Sequence, residues 1–201
     1  VVINSIKSGK IWEKKLLNRY SNLININDTV LDIGAYLGTH TLAFSQLVGL
    51  NGRVISFEPQ RKIFALLEKT INVNKISNVR LINKAVYNEN TKITFSETNN
   101  GKASISHIRN RLPNPVKIQI DAITIDSLNL DKCDFIKIDV EKCEWVVLDG
   151  AHKTIMKYNP IIFIEIFKTK TNLDLLYEFI TKYDYSCENL GGCDYILSKN
   201  L

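Results

Sequence analysis

Two groups of side chains in this 201-residue chain have the types and spacing to do chemistry. The first is Asp32-Ile-Gly34-Ala35-Tyr36-Leu-Gly38-Thr39, between an apolar β-branched run and a helical pattern. Glycines at such a turn let the backbone approach a small ligand, and the helix start adds free N–H donors and a positive dipole end. The pattern is D-x-G-x-x-x-G, not the G-x-G-x-x-G that seats a pyrophosphate, and its leading carboxylate would repel one. Asp32 instead suits a ligand that carries an amino group and a sulfonium charge. Glu58 ends the next strand, where an acid accepts both hydroxyls of a ribose, and Pro59 stops that strand and opens a helix. A further contact, to an adenine edge, is expected after the third strand, at Asn83-Lys84-Ala85. A nucleoside bearing a sulfonium is S-adenosyl-L-methionine, with S-adenosyl-L-homocysteine as its product.

The second group is Asp134-Phe-Ile-Lys137-Ile-Asp139-Val-Glu141. Ligands gather at the carboxyl ends of strands in open α/β sheets, so Asp139 is expected at the cofactor's methyl end. Period-two alternation puts Lys137, Asp139 and Glu141 on one side if the strand stays extended; alternatively Glu141 caps the helix that opens near Cys143. If the acceptor is an alcohol, methyl transfer requires alignment and a destination for the proton. The catalytic candidates are Asp139, Glu141, Glu165 and His40, with His107 in a loop as a further one. Asp139 and Glu165 end adjacent expected strands. They suit a base and an orienting group, or a divalent cation, Mg²⁺ or Ca²⁺, that acidifies the hydroxyl.

The elements that must position these groups follow from hydrophobic periodicity. Strands are expected at 30–33, 54–57, 79–82, 91–96, 116–120, 134–138 and 161–166, and helices at 10–23, 39–48, 60–74, 143–156 and 171–183. Two last strands, near 184–188 and 193–198, should form an antiparallel hairpin at Gly191-Gly192. This alternation is that of an α/β protein built on a parallel sheet. One domain over 1–201 is expected, with a helical segment at 1–25 and an inserted, substrate-side region at 91–120. Within it, Asn99 to Pro115 reads as a long functional loop whose Asn99, Asn100, Ser104, Ser106 and Asn110 suit a sugar.

Bulk composition excludes little beyond the extremes. Apolar residues make up 45%, charged residues 23%, and the net charge is +5 without an unbroken basic run. Cys133, Cys143, Cys187 and Cys193 form no C-x-x-C pair, so neither zinc nor a dithiol motif is indicated, although a Cys187–Cys193 bridge across the hairpin is open. The apolar run Ile161 to Phe167 is too short for a membrane span, and no charged-then-apolar leader opens the sequence, which points to the cytoplasm. Monomer and homodimer are equally compatible with these features.

The segments VLDIGAYLGTHTL (30–42), VISFEP (54–59), DFIKIDVEKCEWVVLDGA (134–151) and PIIFIEI (160–166) resemble the FkbM family of methyltransferases. The resemblance covers roughly 30 to 170, and the block from Ile138 to Ala151 (IDVE…E…L.GA) is its most specific part. It implies a class I methyltransferase fold, a three-layer α-β-α sandwich around a Rossmann-like sheet of about seven strands, with S-adenosylmethionine as donor and O-methylation as the reaction, glycan and polyketide hydroxyls being usual acceptors. The sequence departs from the family pattern at Lys142, where glycine is common, at Tyr36, a frequent asparagine, and at His40, a small or acidic position. The rivals are an RNA ribose 2′-O-methyltransferase and a non-catalytic nucleoside-binding module. In the first, Lys137, Asp139, Lys168 and a distant Glu would form a Lys–Asp–Lys–Glu set, but no aromatic-plus-basic stripe supports nucleic acid.

Overall fold

The computed structural model describes residues 14–97, 103–105 and 116–199. The alternating pattern folds as a seven-stranded sheet with helices on both faces. Its strands are β1 (Thr29–Ile33), β2 (Arg53–Phe57), β3 (Val79–Ile82), β8 (Phe135–Ile138), β9 (Ile161–Glu165), β10 (Ser186–Gly191) and β11 (Asp194–Ser198), in the order β10-β11-β9-β8-β1-β2-β3. All neighbours from β3 to β9 are parallel, whereas β11 runs antiparallel between β9 and β10. The expected hairpin is therefore present, and its turn uses Gly191 at φ 113° and Gly192 at φ 61°. At φ 113° glycine alone is free of strain.

Strands β1 and β8 are buried along their whole length, as central parallel strands covered on both faces must be. Alternate residues feed two cores. Leu31, Ile33, Ile136, Ile138, Ile162 and Ile164 face α4 (Glu144–Asp149), α5 (His152–Tyr158) and α6 (Lys170–Tyr183). Val30, Val54, Phe135 and Phe163 face Tyr20 of α1 (Lys14–Tyr20) and Phe44 of α2 (Thr39–Leu47). Helix α3 (Arg61–Val73) lays Leu67 and Ile71 beside Ala35. The expected helix over 10–23 is described only from Lys14, and Trp12 lies outside the described residues.

Two features differ from the sequence reading. The helix expected over 143–156 is two helices, because Gly150 sits against the chain at Tyr87: a Cβ there would lie 2.1 Å from the Tyr87 carbonyl oxygen. Helix α5 then restarts under the carboxylate of Asp126, which accepts from the backbone N–H groups of Lys153 (2.9 Å) and Thr154 (2.8 Å). Next, a separate four-stranded sheet forms from β4 (Ala85–Val86), β5 (Thr91–Glu97), β6 (Ala103–Ile105) and β7 (Val116–Ile123), in the order β4-β7-β5-β6. Two residues of β4 are too few to show a period, and β6 lies inside the polar stretch expected to be loop. The rest of that stretch, with Asn99, Asn100, Ser106, His107 and Asn110, lies outside the described residues, as does the side chain of Ser104. All four cysteines are free thiols, and no bridge crosses the hairpin.

The small sheet matters to the site. Its apolar face, Ala85, Ile93, Phe95 and Ala122, buries Cys143, and Val140 packs against the same cluster. The turn that follows β8 is thus held from the side by the inserted sheet.

Candidate active site

The loop after β1 is built from left-handed backbone. Gly34 (φ 82°), Tyr36 (φ 49°) and Gly38 (φ 89°) all have positive φ, and Gly34 and Ala35 both donate to the Phe57 carbonyl at the end of β2 (3.1 and 2.9 Å). A Cβ on Gly34 would lie 2.0 Å from the Asp139 carbonyl oxygen, so the loop and the end of β8 are in backbone contact. Tyr36 occupies this geometry at a cost that asparagine would largely avoid. Its N–H donates to Glu58 Oε2 (3.0 Å), while Gln60 N–H donates to Oε1 (2.8 Å). Thr39 opens α2, and its helix start adds the free N–H groups.

Glu58 is 3% exposed. Burial pushes its carboxyl up to about 7, against the backbone N–H bonds and the charge of Lys137, which pull it down. Each oxygen keeps a lone pair for a further donor. A ribose diol is chemically suited to supply two, so the residues present fit the nucleoside of S-adenosylmethionine. Asn83 holds the neighbouring strand end, donating to the Glu58 and Pro59 carbonyls (2.8 and 3.2 Å). Lys84 is partly exposed beside it, but the Ala85 side chain is turned into the small sheet's core, so any adenine contact at Ala85 is through its backbone.

Beneath the loop lies a buried polar chain. Asp32 is fully buried and accepts from Thr41 Oγ1 (2.6 Å), which also meets Ser56 Oγ (3.2 Å). Lys137, 2% exposed, donates to the Gly34 carbonyl (2.8 Å) and lies 3.4 Å from Asp32 Oδ1 and 3.5 Å from Asp139 Oδ2. Burial alone would lower the lysine's pKa, but Asp32 and Asp139 outweigh it and hold the pKa above its ordinary value. The direct approach of Asp32 to a ligand's amino group, expected from the sequence, finds no exposed face; Asp32 shapes the loop from below. Lys137 is likewise turned inward, which occupies the ammonium that a Lys–Asp–Lys–Glu set would need at an acceptor.

At the other side of the loop, Asp139 has 45% of its side chain exposed. The strand stops at Ile138, and Glu141 (φ 56°) and Lys142 (φ 79°) turn left-handed, so the extended alternation that put Glu141 beside Asp139 does not hold. Lys142 N–H donates to Glu144 Oε1 (3.0 Å), and its ammonium lies 5.5 Å from the Phe167 ring centre. Glu165, at the end of β9, is partly buried; burial, then the charges of Asp139, Glu144, Glu141 and Asp194, pushes its carboxyl up to about 7. Asp139 and Glu165 thus share one acidic rim, as their places at adjacent strand ends predicted. His40 is 8% exposed and set edge-on to Tyr20 (5.5 Å, 85°) and near Phe44 (6.0 Å), a buried ring in an aromatic cluster and not a member of that rim. Among the described residues, no three His, Cys, Asp or Glu side chains group as a metal ion requires. Asp139 and Glu165 supply two carboxylates, far short of the roughly six to eight oxygens of Ca²⁺, and Mg²⁺ would need waters or acceptor oxygens for the rest of its shell.

Lys137 was the residue whose place sequence reasoning missed. The signal was a charged side chain in the middle of an otherwise apolar central strand, which burial permits only when paired.

A family model described as Methyltransferase FkbM domain matches residues 32–187. No curated protein matches the chain. Among solved structures, methyltransferase FkbM from Methylobacillus flagellatus KT is 21% identical with a TM-score of 0.59, covering 85% of this chain and 43% of that one. The chain therefore spans less than half the length of that relative. An rRNA methylase from Streptococcus thermophilus is 13% identical (TM-score 0.52; 91% of this chain, 92% of that one). Fibrillarin from Aeropyrum pernix, solved with natively bound S-adenosyl-L-methionine, is 12% identical (TM-score 0.58; 92% and 74%). These three likenesses carry the class I methyltransferase fold, and the matched residues begin at Asp32 of the loop and run through the acidic rim. The chain belongs to the FkbM family of S-adenosylmethionine-dependent methyltransferases.

Proposed function

We propose that this methyltransferase acts on a hydroxyl, and that the acceptor is a sugar in a glycan or glycosylated metabolite. The observation that carries the reading is the pairing of Asp139 with Glu165, a carboxyl held at about 7. A base is most effective when its pKa lies near the working pH. Asp139 orients the acceptor hydroxyl, and Glu165 takes its proton as the new bond to carbon forms. The donor supplies the methyl group on a sulfonium that is already a good leaving group. The loop at Gly34–Gly38 and the carboxylate of Glu58 seat the nucleoside, which fixes the line of attack. In this reading 1–201 form one methyltransferase domain, with 91–120 on the acceptor side.

A second reading, RNA ribose methylation, has in its favour the shared fold of the S. thermophilus rRNA methylase. The acidic rim opposes it, because carboxylates around the acceptor repel a phosphate backbone. Incubation with labelled donor, a panel of sugars and RNA oligonucleotides, followed by mass spectrometry of products, tests the proposal. Label on a sugar oxygen, unaffected by EDTA, is expected. Label on RNA alone would overturn the acceptor assignment, and tight binding of S-adenosylhomocysteine with no turnover on any acceptor would make the chain a binding module.

A further inference from the structure

Lys137 is the one ammonium among the described residues that touches both halves of the site, and its burial makes that contact costly to maintain. Its Nζ donates to the carbonyl of Gly34 in the cofactor loop (2.8 Å) and lies 3.4 Å from Asp32 below that loop. On the opposite side it lies 3.5 Å from Asp139 Oδ2 at the acceptor rim. Its charge also reaches Glu58, where it opposes the effect of burial. A lysine 2% exposed on a central strand would be replaced by an apolar residue if packing alone were at stake, since an apolar group of that size often serves stability as well as a buried ion pair.

We propose that Lys137 is the positioning residue of methyl transfer: it holds Asp139 in register with the cofactor loop, so that donor and acceptor are aligned through one buried cation. This rests on the assignment of Asp139 to the acceptor hydroxyl. Asp139, with nearly half its side chain exposed, has several rotamers open to it, and the ammonium beneath selects one. The same ammonium fixes the Gly34 carbonyl, so a shift of the loop is passed to the carboxylate as a change in ion-pair distance. The groups facing Lys137 are Asp32 and Gly34 from β1 and its loop, Asp139 from the end of β8, and Glu58 from the end of β2.

A double-mutant cycle on kcat tests this, because a lysine that only supports the fold would act independently of Asp139. Lys137→Met is expected to lower kcat about tenfold in the wild-type background and less than about twofold in Asp139→Asn, where the group it orients is already gone. Equal losses in the two backgrounds would overturn the proposal. Lys137→Met leaves Asp32 buried without its cation; if that chain does not fold, the cycle is run with Asp32→Asn/Lys137→Met, which neutralises the pair together, and the same two outcomes decide. Asp139→Asn with unchanged kcat would remove the Asp139 assignment and this inference with it, whereas a slow Asp139→Asn enzyme with an additive Lys137 effect would remove only the coupling.

Discussion

Replacing Glu58 by Gln should have opposite effects on the stability of the free protein at two pH values, and should weaken its hold on the cofactor at both. Burial raises the Glu58 carboxyl from 4.5 to about 7. Between these values the folded chain keeps a proton that the unfolded chain has released, so unfolding releases it, and stability falls as pH rises through the window and is level above it. Holding the carboxyl at about 7 corresponds to roughly 3 kcal/mol of lost stability at pH 8. The amide introduced by Glu58→Gln carries no charge to bury, but one of the two N–H donors, of Tyr36 or Gln60, then faces an NH₂ group instead of an oxygen. That mismatch costs about 1–2 kcal/mol at any pH. Glu58→Gln is therefore expected to stabilise the free protein by about 1–2 kcal/mol at pH 8 and to destabilise it by up to about 1 kcal/mol at pH 5, where roughly 0.8 kcal/mol of the ionisation effect is already present. Glu165 contributes to the same pH slope, so the comparison is between wild type and variant at each pH, where its effect cancels. Urea unfolding at both values reads the crossing. Cofactor binding reads the other half: ribose hydroxyls donate to the ionised carboxylate and favour it, so S-adenosylhomocysteine should displace up to about half a proton at pH 7. Calorimetry in two buffers of different ionisation enthalpy measures that proton, and Glu58→Gln should abolish it. Parallel stability profiles, or binding without proton release in the wild type, would refute the reasoning.

Two backbone predictions stand beside it. Gly34→Ala combines φ 82° with a Cβ placed 2.0 Å from the Asp139 carbonyl oxygen, and should cost about 2–5 kcal/mol of stability, read by thermal unfolding, together with cofactor binding. At Lys142, φ 79° reverses the usual ranking of small residues: Lys142→Gly should be more stable than Lys142→Ala by about 1 kcal/mol, although both lose the contact with Phe167. Equal stabilities in urea would mean that the turn after Asp139 is not left-handed.

The main sheet was legible because its strands are nearly continuous β-branched runs and its helices carry clear apolar stripes. Asp139 and Glu165 could be placed together from topology alone, as consecutive strand ends in a parallel sheet. What escaped lies where spacing carries no record of the backbone. The left-handed turn at Glu141 and Lys142 has no glycine to mark it, and the break at Gly150 depends on Tyr87, far away in sequence. Asp32 was read as a ligand contact because a carboxylate before a glycine loop invites that reading; its burial is set by Thr41 and Lys137, one helix and one strand away. Both Tyr36 and Lys142, the two residues that depart from asparagine and glycine in the family pattern, turn out to sit at positive φ. Those are the positions where asparagine and glycine are the unstrained choices.

The acidic rim also bears on how the enzyme lets go of its spent cofactor. S-adenosylmethionine carries a sulfonium and an ammonium against one carboxylate; after transfer the sulfur is neutral. In the proposed reading the donor's sulfonium lies at this rim, where Asp139, Glu141, Glu165 and Asp194 would attract it through a charge that the reaction itself erases. The product is then held by its nucleoside and amino-acid ends alone, and fresh donor displaces it with an electrostatic advantage that is largest in dilute salt and fades as ions screen the rim. In a chain whose overall charge is +5, this local concentration of carboxylates would, in the proposed reading, favour the charged donor over its neutral-sulfur product.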